Sequence, residues 1–220
     1  VEVGNDVSEE EFSLSFDGDY IDINSLNTHF SAYEDFSFHG FFKTNNSYST
    51  GQGLIFSTSD SNYDNATLWM GVKNDQILVQ YFDGVSPSEY LYFGDNCSDN
   101  QWHSLGLTVN NQGDMFVYLD GVEVGQEADV QLDFNFAEYY SLAHEWDAVA
   151  IPSDFFIGNL DNISIWNTTL SSEDIQQYMQ CTPAGDEAGL VGYWNFNEGS
   201  GSTVTDLSNN GNDGVINGAT

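Results

Sequence analysis

Arginine is absent from the 220 residues, and lysine occurs only as Lys43 and Lys73. Set against 35 acidic residues, this leaves a formal charge of −33. Nucleic acids and anionic membranes are bound through basic patches, so both are excluded as partners. Long hydrophobic runs are also missing, and no stretch of about 18 apolar residues is available to span a membrane. No signal-peptide pattern is visible, so Val1 reads as the start of an excised fragment or mature chain. Cysteine occurs twice, at Cys97 and Cys181, with neither metal nor redox spacing. In an extracellular protein an even pair reads as one disulfide. Helical periodicity is nearly absent as well, which removes the bundle folds.

What remains is ample for a core. Hydrophobic residues make up 40% of the chain and aromatics 15%, so the charge does not imply disorder. Such a length suits one large all-β domain. The acidity reads mainly as a solvated surface suited to brine or seawater. With salt shortening the screening length from ~10 Å at 0.1 M to ~3 Å at 1 M, the melting temperature is expected to climb toward molar sodium chloride. Five Asn-x-Ser/Thr sequons, at Asn45, Asn65, Asn96, Asn162 and Asn167, carry little weight in so Asn- and Ser-rich a chain.

After an acidic lead-in at 1–11, the hydrophobic period is two almost throughout, broken by Gly, Asn, Asp and Ser clusters. That is the signature of strands joined by hairpins. Phe36, Phe38, Gly40 and Phe42 fall on one face of their strand, opposite His39, Phe41 and Lys43. Leu68, Met70 and Val72 share a face, which sends Trp69 to the other side. Asp83-Gly84 and Asp120-Gly121 are turn pairs. The one helix expected lies near 171–179, where Ser171 caps and Asp174 completes a capping box. These patterns predict two antiparallel sheets packed face to face.

The stretch from Leu190 to Ala219 holds an aromatic strand, a Gly/Ser turn, a polar loop and a short apolar strand. In its loop, Asp206, Ser208 and Asn210 alternate and Gly211 follows, as in the opening half of a calcium loop. Asn217 stands where the closing acid is needed, so Glu198 or Asp161 would have to lend a carboxylate. The plain alternative is a turn held by side-chain-to-backbone bonds. A second oxygen-rich pattern, Asp60, Asn62 and Asp64, reads equally well as an acidic loop. Hard oxygen ligands point to calcium as the cofactor rather than zinc.

Several of these segments together resemble a known family. Residues 101–109 with 116–124 (QWHSLGLTV and FVYLDGVEV), the strand FFIGNLDNISIW with its following helix, and FDGDYIDI are similar to laminin-G-like, concanavalin-type jelly rolls of secreted bacterial proteins. In that family the segment like 190–219 comes before the FDGDYIDI strand, whereas here the order is reversed. The tail therefore either begins a second domain or closes this one as a permuted edge. Closure of a single domain over 12–220 is the expectation. The resemblance implies an all-β jelly-roll sandwich, with Trp102, Trp166 and Trp194 as packing residues.

Residues 126–154 break the strand rhythm and read as a long aromatic loop, the kind that is usually functional in a compact domain. Glycan recognition needs flat rings beside hydrogen-bonding groups. The candidates are Tyr139, Tyr140, His144, Glu145 and Trp146 in this loop, together with Trp69; Tyr90 and Tyr92 also alternate with apolar residues. The jelly roll also hosts laminarinase-type glycanases with a Glu-x-Asp-x-x-Glu strand. Glu145 and Asp147 match its first two acids, but Ala150 replaces the third, breaking the pair that a retaining glycosidase needs. The function expected is a non-catalytic, calcium-stabilised carbohydrate-binding or adhesion module, secreted or on a cell surface. A structural spacer or protein-interaction domain of a large adhesin is the alternative.

Overall fold

The computed structural model describes residues 12–32, 34–60, 67–82, 89–147 and 151–220. The acidic lead-in, Asn62, Asp64 and Asn65, the Asp83-Gly84 pair and Ala150 lie outside them. In chain order the strands are β1 (Leu14–Asp17), β2 (Tyr20–Asp22), β3 (Phe36–Lys43), β4 (Gly53–Ser59), β5 (Leu68–Lys73) and β6 (Gln76–Tyr81). They continue with β7 (Leu91–Phe93), β8 (His103–Val109), β9 (Met115–Leu119), β10 (Val122–Glu127), β11 (Tyr139–Leu142) and β12 (Glu145–Asp147). The last are β13 (Ile151–Ser153), β14 (Ile157–Trp166), β15 (Leu190–Trp194), β16 (Thr203–Val204) and β17 (Gly214–Asn217), with helix α1 (Ser172–Tyr178) between β14 and β15.

One sheet runs β1-β14-β3-β8-β9-β10, with β15 also on β14; the other runs β16-β17-β2-β11-β4-β5-β6-β7. All pairings within them are antiparallel, as strands joined by hairpins and returning loops require. Alternation sends Phe36, Phe38 and Phe42 from the first sheet, and Ile21, Phe56, Met70 and Val79 from the second, into one shared core. The β9–β10 hairpin turns at Asp120 (φ 52°) and Gly121 (φ 72°), the two left-handed positions that a tight hairpin turn demands.

His39 and Ser37 lie on the strand face opposite the phenylalanines, yet both are buried. The reason is a second hydrophobic cluster, Tyr118, Trp166, Leu170, Ile175, Leu190 and Tyr193, over the back of the first sheet. Helix α1 contributes Ile175, and its capping box forms with Ser171 Oγ accepting from the Asp174 backbone. Trp166 and Trp194 pack as expected, whereas Trp102 is 42% exposed, so its packing reading does not hold.

The tail joins both sheets. Strand β15 pairs with β14, and β17 pairs with β2, with Val215 opposite Asp22. At its end Thr220 and Ser15 exchange backbone hydrogen bonds of 2.8 and 3.2 Å. The aperiodic region 126–154 contains three strands, which corrects the reading of it as a loop: β11 enters the second sheet, and β12 with β13 makes a separate hairpin.

The disulfide expectation is overturned. Cys97 is buried and Cys181 exposed, and both are free thiols. Burial, with the charge of Asp75 adding to it, pushes the Cys97 thiol up to about 12, so it is chemically inert. Iodoacetamide should therefore label Cys181 in the native protein and spare Cys97 until denaturant is added. Two native thiols resistant to labelling, released only by reductant, would restore the disulfide.

Candidate functional site

The outer face of the second sheet carries an unusual row. Register places Asp22 beside Ser141, Ser141 beside Ser57, Ser57 beside Trp69 and Trp69 beside Gln80. Their immediate neighbours in sequence (Ile21, Tyr140, Leu142, Phe56 and Met70) point the other way, into the core. Tyr139 and Ser59 extend the same outer face two residues further along their strands and are themselves paired. Trp69 is half-buried there, on the side that alternation assigned it.

The β12–β13 hairpin stands over one edge of this row. Ser57 Oγ donates to the His144 carbonyl at 2.6 Å, and Ala143 N donates to Ile55 O at 3.0 Å. Tyr20, on the outer face of β2, packs its ring 4.1 Å from that of His144 and 5.5 Å from that of Trp146. His144 is fully buried and burial lowers it to about 4, so it is neutral at physiological pH. Its Nδ1 donates to the Glu145 carbonyl, which leaves Nε2 as the unprotonated acceptor.

Glu145 is 3% exposed. Burial raises its carboxyl to about 9, a hydrogen bond to Asp154 acts in the same direction, and so do the charges of Asp154 and Asp147. Only the Ser153 hydroxyl, at 3.4 Å, favours the ionised form. Glu145 is thus a protonated carboxyl at neutral pH, paired with Asp154, which also accepts from Gln52 Nε2 at 2.9 Å. This pair ties the hairpin to the start of β4, where Leu54 N donates to Asp154 O.

The row is rich in buried polar atoms that have no hydrogen-bond partner. They are Asp22 Oδ1, Ser59 Oγ, Trp69 Nε1, Ser141 Oγ and His144 Nε2. Each such atom costs about 1–3 kcal/mol of desolvation, and folded proteins hold few of them. Five on one sheet face and beside its adjoining hairpin are a high local concentration.

Of the residues singled out from sequence, the structure gathers Trp69, Tyr139, His144, Glu145 and Trp146 around this face. Tyr140 is corrected: it lies fully buried in the core, stacked with Phe30 and Phe134, out of reach of any ligand. Asp22, Ser141, Ser57 and Tyr20 were missed. The Tyr-Ile-Asp alternation already pointed Tyr20 and Asp22 outward, but only the pairing of β2 with β11 sets them beside Ser141.

The other candidates lie elsewhere. Asp206 Oδ1 accepts from Tyr193 N and Ser208 N, and Oδ2 from Ser208 Oγ and Asn212 N, at 2.7–3.0 Å. Asn210 Nδ2 donates to Leu190 O and Val191 O, and Glu198 Oε1 accepts from Thr205 N. Asp161 sits on β14, in the other sheet from the loop's closing strand. With four donors on Asp206, the residues do not fit a calcium ion, and the loop is built as a hydrogen-bonded turn. Among the described residues no group of three or more His, Cys, Asp or Glu is placed to hold a metal. Asp206→Ala should cost about 2 kcal/mol of stability, since buried donors lose their acceptor. That loss should be the same in calcium and in chelator; a loss seen only with calcium would make the loop a metal site.

Two antiparallel sheets sharing one core, with a polar, tryptophan-bearing outer face, define a lectin-type jelly roll. The chain belongs to the concanavalin A-like lectin/glucanases superfamily, whose laminin-G profile matches residues 16–176. Among solved structures it is similar to a Bacteroides ovatus protein named as a candidate for carbohydrate binding, with TM-score 0.70 and 14% identity over 94% of this chain and 58% of that one. It is also similar to a heptameric pentraxin of Limulus polyphemus, with TM-score 0.60 and 15% identity over 93% and 94%. A third is the CBM40 module of a Ruminococcus gnavus sialidase bound to α2,3-sialyllactose, with TM-score 0.60 and 13% identity over 76% and 94%. The chain thus spans under two thirds of the Bacteroides protein's length. Among curated proteins no sequence matches it.

Proposed function

We propose that the chain is a non-catalytic carbohydrate-binding module and that the Asp22–Gln80 row, walled by Trp146, is its glycan site. The observation that carries this is a row of polar atoms across the sheet beside a half-buried tryptophan. Sugars offer both hydroxyls for such atoms and apolar ring faces for an indole. The carbohydrate-binding modules among its structural neighbours support the same reading.

Support for a non-catalytic role comes from Glu145. It is buried, and Ala150 stands where the glycanase strand needs its third acid, so the acids of the 145–150 segment do not form a working pair. Secretion or surface display is part of the proposal, as a glycan target outside the cell requires it; among the described residues no helix is long and apolar enough to cross a membrane. Calcium is not needed for this reading and is decided separately by the Asp206 experiment.

The test is a broad glycan array probed with the wild type and with Trp69→Ala. Hits that vanish in the variant support the site. Hits that persist place binding elsewhere on the fold, and a blank array overturns the proposal.

A further inference from the structure

The charge at this face is of one sign. Asp22 is its carboxylate; burial raises it, and the Asn217 amide, donating to Oδ2 at 3.1 Å, pulls it back. Lys43 ends β3 in the opposite sheet. Lys73 ends β5 with its ammonium 5.6 Å over the Tyr90 ring. That is four residues along the strand from Trp69, or ~13 Å. His144 is neutral, so among the described residues no cation faces the row.

The other side chains of the row are all uncharged: Trp69 and Gln80 are half-buried, and Ser57 and Ser141 are buried beneath the surface. A sugar carboxylate or sulfate placed here would lose its hydration against Asp22 with no counter-ion to compensate. A sugar hydroxyl meets no such penalty, because it is uncharged and can donate to the half-buried Asp22 carboxylate. From β2 to β6 the row crosses four strand spacings, or ~19 Å, longer than a single sugar ring.

We propose that this face takes an uncharged oligosaccharide lying across the strands, with Asp22 as the acceptor for a sugar hydroxyl, and that it rejects sialylated, uronic and sulfated glycans. The inference rests on the carbohydrate reading above and narrows it.

The experiment is calorimetric titration with neutral oligosaccharides and their sialylated or sulfated counterparts, in 0.15 M and 1 M sodium chloride. Neutral ligands should bind with less than a twofold change between the two salts. Charged counterparts should fail at both, because 1 M salt screens the molecule's overall charge beyond ~3 Å but not a half-buried Asp22 in contact with the ligand. Asp22→Asn should weaken neutral binding tenfold or more while the melting temperature holds or rises, since burial already disfavours the carboxylate. A charged glycan that binds wild type and is lost in Trp69→Ala overturns the inference but leaves the carbohydrate reading standing. So does full affinity in Asp22→Asn. The absence of binding by any glycan overturns both, and the wild-type comparison decides the charge question even if Asp22→Asn does not fold.

Discussion

Glu145→Gln should raise the melting temperature at pH 8 by about 5–10 °C, corresponding to about 2–4 kcal/mol in a domain of this size. The folded protein holds Glu145 protonated up to about pH 9. The unfolded chain releases that proton near the ordinary glutamate pKa of ~4.3. The folded pKa lies above the unfolded one, so the stabilisation is complete below about pH 4 and is lost as pH climbs toward 9. Each pH unit in that window costs up to about 1.4 kcal/mol, reduced in practice by relaxation around the site. Glutamine fills the same space and has no proton to lose, so its stability curve should lack this slope. Thermal melts of both proteins from pH 4 to 9 check it. Parallel curves would mean that Glu145 is ionised in the native state and that the hairpin is anchored in some other way.

Trp69→Ala should weaken glycan binding about 30-fold, the ~2 kcal/mol expected when a tryptophan at the centre of a binding surface is truncated. Its effect on stability should be small, because the ring is half-buried and its flank, not its whole surface, meets protein. Trp194→Ala offers the contrast: that ring is fully buried, donates to Asn212 O at 3.1 Å, and should cost ~3–5 kcal/mol on removal. Trp146→Ala should fall between the two, since its ring both walls the row and packs on Tyr20 and His144. Calorimetry paired with melts separates the cases. A Trp69→Ala protein that melts several degrees lower, yet binds normally, would make Trp69 a packing residue.

Much of this fold could be read from residues alone, because its rules are local. Period two placed Trp69 opposite Leu68, Met70 and Val72, and a Ser-x-x-Asp box marked the start of α1. The site was less legible, since it depends on register, and register is a property of two strands. Tyr139 and Tyr140 look equivalent in sequence; pairing of β11 with β4 puts one on the outer face and the other in the core. The burial of His39 and Ser37 depends on a helix more than 130 residues away in sequence, which no local pattern encodes. The cysteine pairing failed for a similar reason. An even count says nothing of depth, and Cys97 is sealed inside while Cys181 lies on the surface.

The backbone bonds between Ser15 and Thr220 have a mechanical consequence. The two segments run antiparallel there, so the leading end of β1 and the end of the tail at Thr220 point in the same direction. A pull on the two ends would load those hydrogen bonds one after another, peeling the tail from β1 as a zipper opens. Strands loaded in shear resist by stretching many bonds at once, and that resistance is not available here. Tension would therefore strip β17 from β2, exposing Asp22 and Tyr20 at the floor of the proposed site. A pull applied between β1 and Thr220 would thus meet the resistance of a zipper and not of a shear joint.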